Sequence, residues 1–325
     1  MISIAVIGAG RIGKIHARNV ALHPRARLAG VTDPDAGAAE ALAAAWGAPA
    51  LALEDAFRAD VVLICSPTPT HADYIERAAS AGKAVFCEKP VDLSSDRVRT
   101  CLAAVRRAGI PLMVGFNRRF DPSFASLRRR LEAGEIGRLE VLSITSRDPS
   151  PPPATYAAQS GGIFRDMAIH DLDMARFLLR EEPTEVYVAA ASLVDPEIGR
   201  AGDYDTAVIT LKTASGALCQ ISNSRRATYG YDQRIELHGS LGLLRAGNAT
   251  ATTVEFAGTA GFATDPALPF FLERYDAAYR AELDAFLAAV LDGAPMSPDG
   301  EDGLRALLLA DAATESAQTG RPVVL

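Results

Sequence analysis

Three glycines near the start of the chain restrict its fold more than any other feature. Residues 2 to 19 read ISIAVIGAGRIGKIHARN. Ile2, Ile4, Val6 and Ile7 form a short, β-branched apolar run suited to a buried strand. Gly8, Gly10 and Gly13 follow in G-x-G-x-x-G spacing, with Arg11 and Ile12 between the last two, and a helix-compatible stretch comes next. The first glycine permits the tight turn, the second lets backbone approach a pyrophosphate, and the third lets helix and strand pack closely. The first N–H groups of the helix then point at the phosphates. A second strand, Arg27 to Thr32, ends at Asp33, twenty residues beyond Gly13. An acidic side chain at that distance holds the adenosine ribose hydroxyls. It also repels a 2′-phosphate, so the expected cofactor is NAD, with NADP disfavoured. Only Arg11 stands where it would soften that preference.

Short apolar runs continue to alternate with helical stretches. Val61 to Cys65 reads as a buried strand that runs into Ser66-Pro67-Thr68-Pro69-Thr70-His71. Ligands of an open α/β sheet bind outside the carboxyl ends of its strands, so Ser66, Pro67, Thr68 and His71 are expected on the cofactor side. His71 can equally be an early helix residue with no chemistry. Ala84 to Cys87 is the next strand and leads directly into Glu88-Lys89-Pro90. There Glu88 and Lys89 sit at the strand's carboxyl end, with the lysine fixed by the following proline and aimed at the cleft. Ser94 or Ser95 caps a helix that ends near Gly109, and Pro111 to Phe116 is a further strand. The alternation predicts an α/β fold with a doubly wound parallel sheet, a Rossmann domain over residues 1–120.

From Gly137 the pattern changes. Leu139 to Arg147, Thr184 to Leu193, Asp205 to Thr213, Ala217 to Arg225, Gln233 to His238 and Leu241 to Ala246 all read as strands. Several alternate apolar and polar residues, and links such as Ala214-Ser215-Gly216 suit hairpins. Residues 121–325 are therefore expected to form an α+β substrate-binding and oligomerisation domain with a mainly antiparallel open sheet. Helices are expected over Pro122 to Glu132, Glu273 to Leu291 and Glu301 to Thr319, covering one face. A second subunit on the other face would make a homo-oligomer, a dimer or tetramer. Asp148 to Ser160 is proline-rich and reads as a loop, either a flap over the substrate or a connector.

Composition narrows the partners. A net charge of −7 over 325 residues argues against nucleic acid and an anionic membrane surface. No apolar run approaches membrane-spanning length. The four cysteines, Cys65, Cys87, Cys101 and Cys219, include no C-x-x-C pair and read as buried thiols of a reducing cytosol. With no export-type leader before the first strand, the expected location is the cytoplasm.

One segment of the second domain carries chemistry. Residues 161 to 180 read GGIFRDMAIHDLDMARFLLR. On a helix, Asp166, His170 and Asp173 fall within roughly 60° of one another along one edge of an apolar face. His170 lies one turn after Asp166, so the two side chains can meet, and a carboxylate beside an imidazole fixes its tautomer and raises its basicity. That arrangement suits a general base that removes a hydroxyl proton. A core histidine satisfied by its own helix remains an alternative. A metal set from Asp166, His170, Asp171 and Asp173 is disfavoured, because these positions spread around the helix and no other His/Cys cluster assists.

Together, the dinucleotide loop, Glu88-Lys89-Pro90 and the Asp166 to His170 helix resemble the Gfo/Idh/MocA oxidoreductase family over essentially the whole chain. Within that family, GAGRIGKIHARN, FNRRFDPSF and GGIFRDMAIHDLDMARFL are most similar to its inositol-oxidising members. The resemblance implies nicotinamide-dependent oxidation of a cyclic polyol or sugar hydroxyl. It assigns Lys89, Asp166 and His170 as the catalytic set: His170 takes the proton, Asp166 orients it, and Lys89 holds the reacting oxygen. It also suggests Arg119, Asp148, Asp173 and Tyr231 as polyol contacts. Arg147-Asp148-Pro149 departs from the pattern of bacterial myo-inositol enzymes and leaves the preferred stereoisomer open. An aldose substrate, an acidic sugar held by Arg118, Arg119, Arg147 and Arg165, and a non-catalytic dinucleotide sensor are the competing readings.

Overall fold

The first apolar run forms β1 (Ile2–Ile7), which pairs in parallel with β2 (Ala26–Thr32) on one side and β3 (Val61–Ile64) on the other. The computed structural model describes residues 1–153, 155–156 and 160–325. β4 (Ala84–Glu88) and β5 (Leu112–Gly115) extend the sheet in the order β2-β1-β3-β4-β5, all parallel. β3 and β5 are buried at every residue, as strands covered on both faces must be. The links are α1 (Arg11–Leu22), α2 (Ala36–Ala45), α3 (Leu53–Ala56), α4 (His71–Ser80) and α5 (Ser95–Ala108). α5 starts where the Ser94 hydroxyl accepts from the Arg97 N–H and stops at Gly109 with φ +65°. The chain leaves β1 for opposite sides of the sheet, so the crevice lies beyond the carboxyl ends of β1 and β3.

The chain divides into two units, Met1–Asn117 with Ala278–Leu307, and Arg118–Ala277 with Leu308–Leu325. A single cut at residue 120 places both final helices in the second domain; the structure gives residues 278–307 to the first. The reason is the bare edge and face of the parallel sheet. The Val114 N–H donates to the Pro298 carbonyl at 3.1 Å, and Met113 forms a bridge with Asp299. Phe286 meets Phe86 edge-on at 5.7 Å. Gly300 lies so close to Leu102 that an added Cβ would stand 2.3 Å from that side chain.

In the second unit, α6 (Pro122–Glu132) is capped by Asp121, whose carboxylate accepts from the N–H groups of Ser123 and Phe124. A seven-stranded sheet follows, built from β6 (Leu139–Arg147), β7 (Pro183–Ala191), β8 (Thr206–Thr213), β9 (Leu218–Ser224), β10 (Asp232–Gly239), β11 (Gly242–Ala246) and β14 (Val323–Val324). Its order is β11-β10-β6-β9-β8-β7-β14, antiparallel except for the β6/β9 pair. β8 alternates exposed and buried residues, as a sheet with one covered face requires. α7 (Ile169–Leu179) packs against β6 on the covered side.

Two features depart from expectation. A hairpin, β12 (Glu255–Gly258) and β13 (Gly261–Thr264), is exposed at every residue, so no alternation marks it in the sequence. Of the Asp148 to Ser160 stretch, residues 149–153 carry neither helix nor strand, whereas Thr155, Tyr156 and Ser160 are helical. The remainder of that loop expectation, Ala154 and residues 157–159, falls outside the described residues.

Candidate active site

The cofactor half is built mostly from backbone. Gly8 takes φ +106°, and a Cβ on it would stand 2.6 Å from the Cys65 carbonyl oxygen. A Cβ on Gly13 would fall 1.9 Å from the Gly8 carbonyl oxygen, so the third glycine brings helix and turn together. Gly10, the residue preceding α1, is different: nothing lies within 4 Å of where its Cβ would be. Gly10 has no side chain with which to cap the first N–H groups of α1. Asp33 is half-buried and tied in place: Oδ2 accepts from the Ala9 N–H at 2.7 Å and Oδ1 from the Asp35 N–H at 2.9 Å. Each oxygen keeps a lone pair for a ribose hydroxyl. An open helix N-terminus beside an anchored carboxylate fits a dinucleotide, which would supply a two-electron hydride acceptor. Gly8, Gly10, Arg11, Ile12, Gly13 and Asp33 stand together at this turn.

The β3 and β4 ends flank it. Ser66 and Thr70 hydroxyls bond at 2.6 Å, which closes the Pro67–Thr68 turn on itself. His71, expected among the cofactor contacts, is 2% exposed. Its Nδ1 faces the Pro90 carbonyl at 2.8 Å and its Nε2 faces the Ser66 carbonyl at 2.7 Å. Burial pushes the ring's pKa below its ordinary value, and a neutral ring donates to only one of those carbonyls. His71 therefore ties the two strand-end loops together instead of reaching outward. Glu88 pairs with His16 Nε2 at 2.7 Å, and Lys89, the next residue, is half-buried at the strand end.

The substrate half is built from side chains. Residues Phe164–Ala168 form a π-helical turn that leads straight into α7. Such wider turns are frequent at functional sites. Between Ile163 and Ala175 every residue is buried except Arg165, Asp166 and His170. Arg165 is engaged by Asp311 at 2.6 Å. Asp166 and His170 are the other two half-buried residues of this segment. Asp166 accepts from the Tyr156 hydroxyl at 3.2 Å and lies 3.5 Å from Arg225 Nη2. Asp148 sits among Arg225, Arg118, Asp166 and Asp171; burial pushes its carboxyl up to about 6 against the pull of the two arginines.

Beneath these residues runs a buried network that sequence spacing does not reveal. Arg118 Nη1 pairs with Asp171 Oδ1 at 2.5 Å and reaches the Ser146 hydroxyl at 3.2 Å. Asn223 donates to Asp171 Oδ2 at 2.8 Å, and Gln233 donates to Ser146 at 3.0 Å. Five separated segments meet here, so no local motif announces them. Arg119 and Asp173, expected as polyol contacts, form a bidentate buried pair at 2.5 and 2.8 Å. Asp173 is 1% exposed, so its oxygens are committed to the protein. Tyr231, the remaining expected polyol contact, is buried with its ring edge-on to Phe270 and Tyr275, and burial raises its hydroxyl's pKa well above the usual range. The arginines proposed for an acidic substrate are also engaged: Arg118 by Asp171, Arg119 by Asp173, Arg165 by Asp311, and Arg147 by the Tyr229 hydroxyl. Among the described residues no three His, Cys, Asp or Glu side chains converge to hold a metal ion.

Comparison with known proteins gives a consistent result. Residues 2–116 match the GFO_IDH_MocA oxidoreductase family's NAD-binding Rossmann fold, and residues 128–325 match its C-terminal alpha/beta domain. The inositol 2-dehydrogenase of Rhizobium meliloti (strain 1021) is 53% identical over 325 residues, covering 99% of this chain and 98% of that protein. The crystal structure of a myo-inositol dehydrogenase from Corynebacterium glutamicum superimposes with a TM-score of 0.96 at 48% identity, covering 100% of this chain and 99% of that one. A scyllo-inositol dehydrogenase from Lactobacillus casei, solved with NAD(H) and scyllo-inositol bound, gives a TM-score of 0.93 at 28% identity, with 100% and 99% covered.

Proposed function

The chain belongs to the Gfo/Idh/MocA oxidoreductase family, and from that premise we propose that it oxidises a ring hydroxyl of myo- or scyllo-inositol to the ketone, with NAD as the hydride acceptor. The observation that carries this reading is the pair Asp166 and His170, half-buried in a stretch, Ile163 to Ala175, that is buried elsewhere except at Arg165. His170 takes the hydroxyl proton while the hydrogen on the same carbon leaves with its electron pair; the products are a ketone, reduced cofactor and one proton. Asp166 orients the imidazole. Lys89 stabilises alkoxide character as it develops, an interaction stronger in the transition state than in the ground state. Asp148 accepts from a further ring hydroxyl, and because an unmatched buried polar group costs about 1–3 kcal/mol, such pairings set stereochemical preference.

The same reading makes the protein a cytoplasmic homo-oligomer, a dimer or tetramer joined through the open face of the seven-stranded sheet. Val141 and Leu218 pair across β6 and β9 on that face, both more than a third exposed. Light scattering of the purified protein reads its mass directly, and a monomer would end this part of the proposal.

Initial rates of NADH formation across myo-, scyllo- and chiro-inositol and the common aldoses, each with NAD and NADP, test the activity. An inositol with NAD should lead. An aldose in first place would retain the proton-transfer set and overturn the inositol assignment.

A further inference from the structure

A buried acid of the first unit is left unexplained by this chemistry. Glu282 lies on α8 (Asp276–Asp292), is 0% exposed, and neither carboxyl oxygen has a hydrogen-bond partner among the described residues. Its surroundings follow from the packing of its helix. Phe286, one turn later, meets Phe86 of β4 at 5.7 Å, and Tyr279, one turn earlier, meets the His16 ring edge-on at 5.6 Å. Phe86 and Glu88 are two apart on β4, so they share a face of the sheet. His16 touches both, with its ring 5.0 Å from Phe86 and its Nε2 2.7 Å from Glu88. The helix face that carries Tyr279, Glu282 and Phe286 therefore brings Glu282 to Glu88, as it brings Phe286 to Phe86.

We propose that Glu282 is a positioning residue: it stays a neutral carboxylic acid and donates its proton to the Glu88 carboxylate, fixing the strand end from which Lys89 departs. Two acids can share a buried site only if one keeps its proton. Burial first, and the Glu88 charge second, push Glu282 well above the usual carboxylate range. The titratable groups around the pair are His16 from α1, Cys65 from the β3 end, His71 from α4, Cys87 and Lys89 on either side of Glu88, and Tyr279 from Glu282's own helix. His16 supplies Glu88 with one donor and the Glu282 acid supplies a second. On the far side, a Cβ on Gly115 would lie 3.0 Å from the Glu88 carboxyl, so the glycine lets backbone close against it. The carboxylate is thus boxed by groups from α1, β5 and α8, next to the lysine that the proposed reaction uses. The catalytic consequence rests on that reaction; the shared proton does not.

Three measurements on the full chain test this. Infrared difference spectra of wild type against Glu282→Gln at neutral pH should show a protonated-carboxyl band that the variant lacks. Glu282→Gln, whose amide still donates, should keep kcat within about threefold. Glu282→Leu, which fills the space but donates nothing, should lose about tenfold or more in kcat while NADH affinity measured by fluorescence stays within about threefold. Absence of the band overturns the proposal, as does a Glu282→Leu enzyme as active as Glu282→Gln. If Glu282→Leu does not fold, the infrared comparison decides alone. A wild type that turns over no inositol refutes the proposed function, while the band and the NADH titration still report on Glu282.

Discussion

The dinucleotide turn of the first unit and the Asp166–His170 helix of the second are made in different ways. At the dinucleotide turn, the proposed contacts are mostly backbone: Gly8 bends, Gly10 leaves space, and α1 begins there, with Asp33 pinned by the Ala9 and Asp35 amides. In the second unit, the proposed function rests on side chains drawn from separated segments, with Asp148 after β6, Asp166 and His170 in a π-to-α helix, and Arg225 after β9. A backbone site is specified by a few adjacent residues and tolerates little change of shape. A side-chain site can exchange one group at a time, which is how a single scaffold serves different hydroxyl patterns. Substitutions in the two halves should therefore fail in different ways.

The largest difference should come from His170→Ala. Loss of a positioned base costs about 10²–10⁴-fold in turnover. NADH binding, measured by fluorescence, should remain, because the residue belongs to the substrate unit. Turnover near that of wild type would end the division of labour drawn here. Next in size is Asp171→Ala, which strands the Arg118 guanidinium in a fully buried site. Breaking a buried pair from one side costs about 3–5 kcal/mol. For a unit of this size that lowers the melting temperature on the order of 10 °C. A control in the other half, Ser94→Ala at the α5 cap, should cost only about 1 kcal/mol. Equal shifts would mean that the substrate unit does not depend on its buried ion pairs.

The same contrast explains what could be read from the sequence. The glycine spacing and the Ser94 and Gly109 helix limits are local signals that the fold follows, and Asp33 stands at the same turn, bonded to the Ala9 N–H. Arg118 and Asp171 are 53 residues apart, and Ser146, Asn223 and Gln233 join them from other strands. No window of sequence contains that network. Arg119 and Asp173 show the converse error: polar residues near a catalytic motif suggest ligand contacts, yet a bidentate partner 54 residues away uses both. The π-helical turn was equally hidden, since its residues keep helical periodicity to within one position. The fold of residues 278–307 against the first sheet was hidden because an amphipathic helix does not name the surface it covers.

A smaller effect sharpens the cofactor half. Asp33→Ser removes the carboxylate that opposes a 2′-phosphate and keeps a hydroxyl at the turn. The ratio of NADP to NAD kcat/KM should rise by about tenfold, equivalent to ~1.4 kcal/mol of discrimination. An unchanged ratio would remove Asp33 from the ribose site.

The smallest effect concerns Asp148, where the two halves differ in their response to pH. Its carboxyl titrates at about 6, above the ordinary value near 3.8, because burial outweighs the attraction of Arg225 and Arg118. The folded state therefore binds this proton more tightly than the unfolded chain does. The resulting stabilisation is complete below pH ~4 and is lost as pH rises through about 6. Asp148→Asn has no such proton, so the melting-temperature difference between wild type and variant should shift against wild type from pH 4 to pH 7. If the ionised carboxylate also accepts from a ring hydroxyl, kcat/KM for the inositol should rise through the same interval in wild type and rise less in the variant, while NADH affinity stays level in both. A kcat/KM profile identical in the two proteins would leave Asp148 a half-buried acid with no part in holding the polyol, and would pass stereochemical choice to the other side chains of that unit.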